Sequence, residues 1–135
     1  MSYIPESIRN EVFMRANHQC EYCLIHERFS FFSFHVEHII SLKHGGKTEF
    51  ANLALACPIC NYHKGTDIAT IISESTEPVR FYNPRLEKWK DHFTLEPSGF
   101  ISGKTSIGKA TLKILTLNHP DSIIERREML IRRII

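Results

Sequence analysis

CEYC at residues 20–23 and CPICNYHKG at residues 57–65 are the most informative stretches of this 135-residue chain. They contain all four cysteines, as two Cys-x2-Cys pairs separated by 33 residues. One such pair converges two thiolates at about 2.3 Å from a zinc ion, so two pairs complete a closed tetrahedral site. We therefore predict a structural Zn²⁺ held by Cys20, Cys23, Cys57 and Cys60.

Composition and the N-terminal residues support metal binding over disulfide formation. Residues 1–6 lack a basic segment followed by an apolar stretch, so we expect no secretory signal and a cytoplasmic location. Disulfides are disfavoured in that reducing compartment. The longest apolar runs, such as residues 68–72, are too short to span a bilayer, and no membrane partner is expected. Charged residues make up 24% of the chain, which is typical of a globular domain and unlike disordered or coiled-coil sequences.

The pattern of apolar residues and turn signals predicts an α+β chain of two parts. We expect residues 1–75 to form a core around the cysteine pairs, and residues 76–135 to form an extension that packs on it. In the core, the expected elements are a helix at 7–17, strands at 29–40 and 50–56, and a helix from 57 towards 73 that Gly65 could interrupt. In the extension, they are a linker at 73–84, a short helix at 85–92, a hairpin at 93–104, and helices at 107–117 and 121–134.

Charge is distributed unevenly between these two parts. Residues 1–75 carry six Lys and Arg against eight Asp and Glu, a net charge of −2, whereas residues 76–135 carry eleven against seven, a net charge of +4. A basic surface gives sequence-independent affinity for phosphate. Lys104 and Lys109 are therefore candidate nucleic-acid contacts, whereas Arg126 and Arg127 are expected on a solvated helix face.

The residues between and after the cysteine pairs resemble a known enzyme family. In order, they are His35-Val36-Glu37-His38-Ile39-Ile40, a Gly45-Gly46 turn, Asn52-Leu53, and Asn61 directly after the last cysteine. This order resembles the HNH endonucleases of the ββα-metal class, in the subgroup framed by two Cys-x2-Cys knuckles, over roughly residues 15–66. The resemblance implies a ββα-metal, treble-clef-like core with a structural zinc.

The sequence departs from the usual family pattern at two positions. Glu37 precedes the histidine where the family usually has Asp. Asn61 occupies the third position of the motif, which is often His, and His63 is its rival. Glu37 and His38 are also neighbours on the predicted strand, so in a regular pleat their side chains would leave opposite faces. A bend or an irregular strand end must then bring both to one site.

The resemblance also implies the chemistry and the residues that perform it. The reaction would be metal-dependent phosphodiester hydrolysis that leaves a 3′-hydroxyl and a 5′-phosphate. His38 would act as general base on water, and Asn52 would hold the loop and the histidine by hydrogen bonds. Glu37 and Asn61 would supply hard oxygen ligands to a catalytic Mg²⁺ or Mn²⁺.

Duplex DNA is the expected partner of such a site. Besides Lys104 and Lys109, the candidate nucleic-acid contacts are His35, His63 and Lys64. A homodimer would suit an enzyme that cuts both strands with one site per chain.

Two other functions fit parts of the sequence. The first is a catalytically inactive, zinc-framed module that binds nucleic acid. The second is a zinc deaminase, whose signature is His-x-Glu followed by Pro-Cys-x-x-Cys. His35-Val36-Glu37 and the second cysteine pair supply much of this signature, but Ala56 stands where the proline should be, and the first cysteine pair has no purpose in it.

Overall fold

The computed structural model describes residues 3–135, which fold into α-helices and small antiparallel sheets. The helices are α1 Glu6–Arg15, α2 Pro58–Lys64, α3 Trp89–His92, α4 Ser106–Leu115 and α5 Pro120–Ile131. The strands are β1 His35–His38, β2 Leu53–Ala56, β3 Ala69–Thr70, β4 Val79–Arg80, β5 Phe93–Leu95 and β6 Ile101–Gly103. They pair in order as three hairpins. The predicted α+β class is confirmed.

The ββα order expected between the cysteine pairs is present as β1, β2 and α2. The two strands are antiparallel, with Glu37 opposite Ala54 and His38 opposite Leu53. All four residues of β2 are buried, because α1 packs against both strands and closes one face of the hairpin.

Helix α2 is fixed at both ends by its sequence. Pro58 occupies the first turn, where its missing N–H has no partner to lose, and the sulfur of Cys57 caps the helix by accepting from the backbone N–H of Cys60 at 3.4 Å. The helix stops at Gly65, whose φ of +52° favours glycine. The predicted continuation towards residue 73 is wrong, because the chain turns after Gly65 and forms β3.

The predicted strand at residues 29–40 is confirmed only for its last part. Its partner β2 is four residues long, so residues before His35 have no strand to pair with. The segment 29–34 instead turns on Ser30, whose hydroxyl bonds both the N–H and the carbonyl of Phe32. As a result, the side chains of Phe31 and Phe32 are exposed.

The predicted linker at residues 73–84 is also wrong as a description of the structure. Val79–Arg80 pairs with Ala69–Thr70, and the backbone N–H of Tyr82 donates to the Thr111 hydroxyl of α4 at 2.8 Å. Tyr82 is buried in the core. The division at residues 75 and 76 thus falls in the loop of a hairpin that α4 covers.

The remaining C-terminal elements are those that the sequence predicts, and the largest difference is at the start of the short helix. The β5–β6 hairpin and both closing helices are present, but α3 begins at Trp89 instead of residue 85. The difference arises because the amide oxygen of Asn83 accepts from the backbone N–H of Arg85 and holds a turn there.

The two parts of the chain share one core. Its fully buried members come from both parts and include Val12, Leu53, Leu55, Ile101, Leu115, Leu117 and Met129. Within residues 3–135, no helix combines the length and apolar character needed to cross a bilayer.

Candidate functional site

The four cysteines meet in the interior of the protein. All are buried, and their sulfur atoms lie within 4.8 Å of one another. In each pair the second cysteine's N–H donates to the first cysteine's sulfur, at 3.4 Å, so each turn aims both sulfurs inward. The sulfurs of Cys23 and Cys57, from different pairs, are 3.5 Å apart. Sulfurs bound to one zinc at about 2.3 Å would be separated by about 3.8 Å, so the cluster is compatible with tetrahedral zinc.

Electrostatics within the cluster also favours a cation. The pKa values of Cys23 and Cys60 lie well above the usual range, chiefly because each thiol hydrogen-bonds to Cys20. Four buried thiolates would repel one another without a positive charge among them. His35 is not part of the cluster, which contains both cysteine pairs. The zinc ligand set of a deaminase, one histidine with one cysteine pair, is therefore not assembled.

A separate cavity of about 470 Å³ lies along β1, and Arg9 of α1, the loop after β1 and Asn61 of α2 complete its walls. It brings together four of the predicted site residues, since its walls include His35, Glu37, His38 and Asn61. The side chains of these two neighbours have different partners, Lys64 and Tyr22 for Glu37 and Thr48 for His38. Both residues line the same cavity.

Glu37 is the most constrained of these residues. Its carboxylate is 7% exposed and contacts Lys64 through one oxygen, at 2.8 Å, and the Tyr22 hydroxyl through the other, at 2.9 Å. Burial raises the pKa of Glu37 to about 7, against the lowering effect of the Lys64 charge. Each carboxylate oxygen has a second lone pair. The carboxylate could therefore bind a cation in two ways: through its remaining lone pairs, or after Lys64 or Tyr22 is displaced.

The surroundings of His38 keep its ring uncharged. Its Nε2 lies 2.8 Å from the Thr48 hydroxyl, and within residues 3–135 its Nδ1 has no hydrogen-bond partner. Partial burial, together with the nearby charge of Lys64, lowers the pKa of His38 below its usual value. The ring is consequently neutral near pH 7 and can accept a proton.

Asn61 and His63, the two rivals on α2, face different cavities. Asn61 lines the cavity of Glu37 and His38, and its side-chain amide makes no hydrogen bond to any residue in 3–135. His63 is exposed and stacks edge-on against Tyr62. It lines a second cavity, of about 430 Å³, with the aromatic segment at 29–34. Only Asn61 is brought to His38.

Asn52 holds the loop that follows β1. Its amide oxygen accepts from the N–H of Ile40, and its amide nitrogen donates to the carbonyls of Ile40 and Lys47, each at 2.9 Å. The loop passes so close that a Cβ at Gly46 would lie 1.7 Å from the Ile40 carbonyl oxygen, so only glycine fits. These contacts set the path of the chain between His38 and Thr48.

The three lysines predicted to contact phosphate occupy different environments. Lys64 is 1% exposed, and its ammonium donates to the carbonyls of His38 and Ile39, both at 3.0 Å, besides contacting Glu37. It is directed into the protein and not towards solvent. Lys104 and Lys109 are exposed, do not line the cavity, and contact the Lys90 carbonyl and the Glu74 carboxylate respectively.

Several residues at the site were not anticipated from the sequence. Arg9 and Lys43 line the cavity and are exposed, but nothing in their spacing marks them. Tyr22 and Thr48 contact Glu37 and His38, and a polar side chain inside a knuckle or after a Gly-Gly turn is a weak signal for such contacts.

Comparison with known families covers this region. Residues 20–67 match the model of the HNH endonuclease family. The matched segment contains both cysteine pairs, β1, β2 and α2, and leaves the C-terminal half outside. No curated protein and no solved structure is significantly similar to the chain. Residues 20–67 thus form a nuclease-type domain framed by a four-cysteine cluster compatible with zinc, as the sequence motif predicted.

Proposed function

We propose that the protein is a metal-dependent endonuclease that hydrolyses phosphodiester bonds in DNA at the cavity formed by His35, Glu37, His38 and Asn61. The observation that carries the proposal is the meeting of a neutral histidine and an unpartnered amide in one cavity, on a frame that matches the HNH family. The zinc site acts mechanically, because Cys57 and Cys60 fix the start of the helix on which Asn61 lies.

In this mechanism the ring of His38 takes a proton from water. In the tautomer that has its hydrogen on Nε2, this group would donate to the Thr48 hydroxyl, and the lone pair of Nδ1 would be left to accept the proton. The depressed pKa keeps this nitrogen unprotonated at neutral pH. Asn52 keeps His38 and Thr48 at a fixed separation through the loop that it holds.

Glu37 and Asn61 would hold the divalent cation, Mg²⁺ or Mn²⁺. Both residues line the cavity and have side-chain oxygen atoms, and oxygen is the ligand that these cations prefer. When bound, the cation would stabilise the negative charge that develops on the phosphate and on the leaving oxygen. Lys64 would then be a positioning residue, since it ties the carboxylate of Glu37 to the backbone of His38 and Ile39.

The DNA would approach over the open side of the cavity. Arg9 and Lys43 are exposed at its walls and suited to contact phosphate, as is His35 when protonated. His63 lies on the other side of α2 and would contact flanking DNA. Lys104 and Lys109, in the basic extension, would add affinity that weakens with salt.

One observation favours a second function, an inactive nucleic-acid-binding module. The carboxylate of Glu37 already has two partners, Lys64 and Tyr22. If they are not displaced or shared, no cation reaches the site. The protein would then bind DNA without cutting it.

Nicking of supercoiled plasmid separates the two functions. We expect cleavage with Mg²⁺ or Mn²⁺, none when these cations are omitted, and a loss of about 10²–10⁴-fold in His38→Ala. The matched control is His44→Ala, because His44 is an exposed histidine of the same loop that does not line the cavity. Undiminished cleavage by His38→Ala would refute the general base, and DNA binding without cleavage by the wild type would establish the inactive module.

A further inference from the structure

Arg126 of α5 is completely buried, although the sequence predicted it on a solvated helix face. Its guanidinium donates to the carbonyls of Gly99, at 2.6 Å, and Cys23, at 3.3 Å, and to the amide oxygen of Asn118, at 3.1 Å. Arginine stays protonated in proteins. A full positive charge therefore lies in the interior, and every hydrogen-bond acceptor around it is neutral.

A buried charge of this kind requires an opposite charge nearby. Within residues 3–135, no carboxylate forms an ion pair with Arg126; its neighbour Glu125, which lines the second cavity, is close enough to interact electrostatically but makes no hydrogen bond to the guanidinium. Among residues 3–135, the hydrogen bond to the Cys23 carbonyl joins the guanidinium to the four-cysteine cluster, whose thiolates would supply the opposite charge.

The charge of a zinc-loaded cluster fits this arrangement. A dication bound by four thiolates has a formal net charge of about −2, which is itself costly in a buried site. Arg126 brings a permanent positive charge to the backbone of the first knuckle, through the carbonyl of Cys23. The contact joins residues that are 103 positions apart in the sequence.

The turn of the β5–β6 hairpin is shaped to support the same side chain. Gly99 has a φ of +92°, and a Cβ there would lie 2.4 Å from the Ile123 carbonyl oxygen of α5. Only glycine allows the turn to approach the helix closely enough for its carbonyl to accept from Arg126. Asn118, the third acceptor, also clamps Ile101 of β6 through two hydrogen bonds.

We propose that Arg126 is the internal counter-cation of the four-cysteine zinc centre, and that α5 is thereby a structural part of the metal site. This inference rests on the zinc proposed above. It assigns a role in metal binding to the C-terminal part, which the match to the HNH family does not include. Metal retention should then depend on a charge located far outside residues 20–67.

The test measures zinc release from the full-length protein to a chromogenic chelator, in Arg126 variants that separate charge from shape. Arg126→Gln removes the charge but keeps a polar side chain, whereas Arg126→Lys keeps the charge but loses the planar fork. We expect Arg126→Gln to weaken zinc affinity by about 10- to 100-fold, the range found when outer-shell partners of a metal ligand are removed. Arg126→Lys should lie much closer to the wild type.

Met129→Ala is the matched control, because Met129 is a fully buried, uncharged residue of the same helix. It should lower thermal stability while leaving zinc release from the folded protein near the wild-type rate. If Arg126→Gln does not fold, Arg126→Lys decides alone: near-wild-type release supports the counter-cation, and release as fast as from unfolded protein overturns it.

The outcomes separate this inference from the zinc site on which it rests. Wild-type protein that purifies without metal, and takes up none, would overturn the zinc site and the counter-cation together. A wild type with one tightly held zinc, and an Arg126→Gln variant with the same affinity, would overturn the counter-cation alone. An equal loss of zinc affinity in Arg126→Gln and Arg126→Lys would also overturn the counter-cation, since hydrogen bonding and packing would then explain the loss.

Discussion

Helix α2 connects two sites that differ in how fully their polar groups are satisfied. At its start, Cys57 and Cys60 belong to a closed, buried cluster whose four sulfurs lie within 4.8 Å of one another. One residue later, Asn61 presents an amide without a hydrogen-bond partner in residues 3–135 to a cavity that is open to solvent. The closed site is built to hold the fold, and the open site leaves groups available for a ligand. The cysteines that stabilise the fold and the asparagine available to a ligand are therefore neighbours on one helix, but mutations can change either site separately.

The largest effect is expected from opening the closed site. Cys60→Ser, or removal of zinc, should abolish cooperative folding of the nuclease-type domain, because metal binding in zinc modules contributes about 10–16 kcal/mol of apparent free energy. Thermal unfolding followed by circular dichroism, with metal content measured in parallel, tests this expectation. Asn61→Ala, one residue away, should melt like the wild type. A cooperative transition of Cys60→Ser near the wild-type temperature would show that the cluster is not a metal site.

The next effect distinguishes the two candidate metal ligands on α2, Asn61 and His63. Asn61→Ala should reduce DNA cleavage by about 10²-fold or more and raise the Mn²⁺ concentration needed, because a metal ligand is lost. His63→Ala should weaken DNA binding severalfold but leave the rate at saturating DNA nearly unchanged. Single-turnover cleavage over a series of Mn²⁺ and DNA concentrations gives both quantities. The reverse result would assign the cation to His63.

A smaller effect is expected from removing the hydrogen bond between Thr48 and the ring of His38. Thr48→Val keeps the shape of the side chain but removes the hydroxyl that contacts Nε2 of His38. We expect cleavage to slow by about tenfold, with an altered acid limb of the pH–rate profile, because the ring loses its fixed orientation and tautomer. Thr48→Ser should restore the rate. If valine and serine variants behave alike, the hydroxyl does not orient the base.

The smallest effect concerns the pH dependence of stability. The pKa of Glu37 is about 7 in the folded protein, above its ordinary 4.5, so folding favours the protonated form. The stability associated with this group is full below about pH 4.5 and is lost as the pH rises through about 7. Glu37→Gln imitates the protonated form, and between pH 5 and pH 8 it should become progressively more stable relative to the wild type.

Urea unfolding of zinc-loaded protein without Mg²⁺ or Mn²⁺ measures this difference, and Glu49→Gln controls for the loss of one exposed carboxylate. A constant difference between Glu37→Gln and the wild type across this range would show that the carboxylate is not buried as described.

The closed site could be read from the sequence, whereas much of the open site could not. The spacing of the cysteine pairs is a local property, since each turn fixes its own sulfurs, and the ββα order follows from strand and helix signals between them. The partners of Glu37 are 15 and 27 residues away in the sequence, so their contacts exist only in the folded chain. For the same reason, Lys64 reads as a surface cation and Arg126 as a solvated one, and both prove to be buried.

The secondary structure shows the same limit. The strand at 29–40 was overestimated because its aromatic residues have strand propensity but no partner strand, and propensity alone cannot supply one. The hairpin at 69–80 was missed because two-residue strands carry almost no pattern. Its existence depends on α4, which lies some thirty residues further along the chain.

Crystals of wild-type protein grown with Mn²⁺, with anomalous scattering recorded separately for zinc and manganese, test the central claim most directly. The account predicts zinc among the sulfurs of Cys20, Cys23, Cys57 and Cys60, and manganese in the cavity with oxygen ligands from Glu37 and Asn61. The account would be contradicted by zinc among the four sulfurs but no manganese in that cavity, with the Glu37 carboxylate bound only to Lys64 and Tyr22.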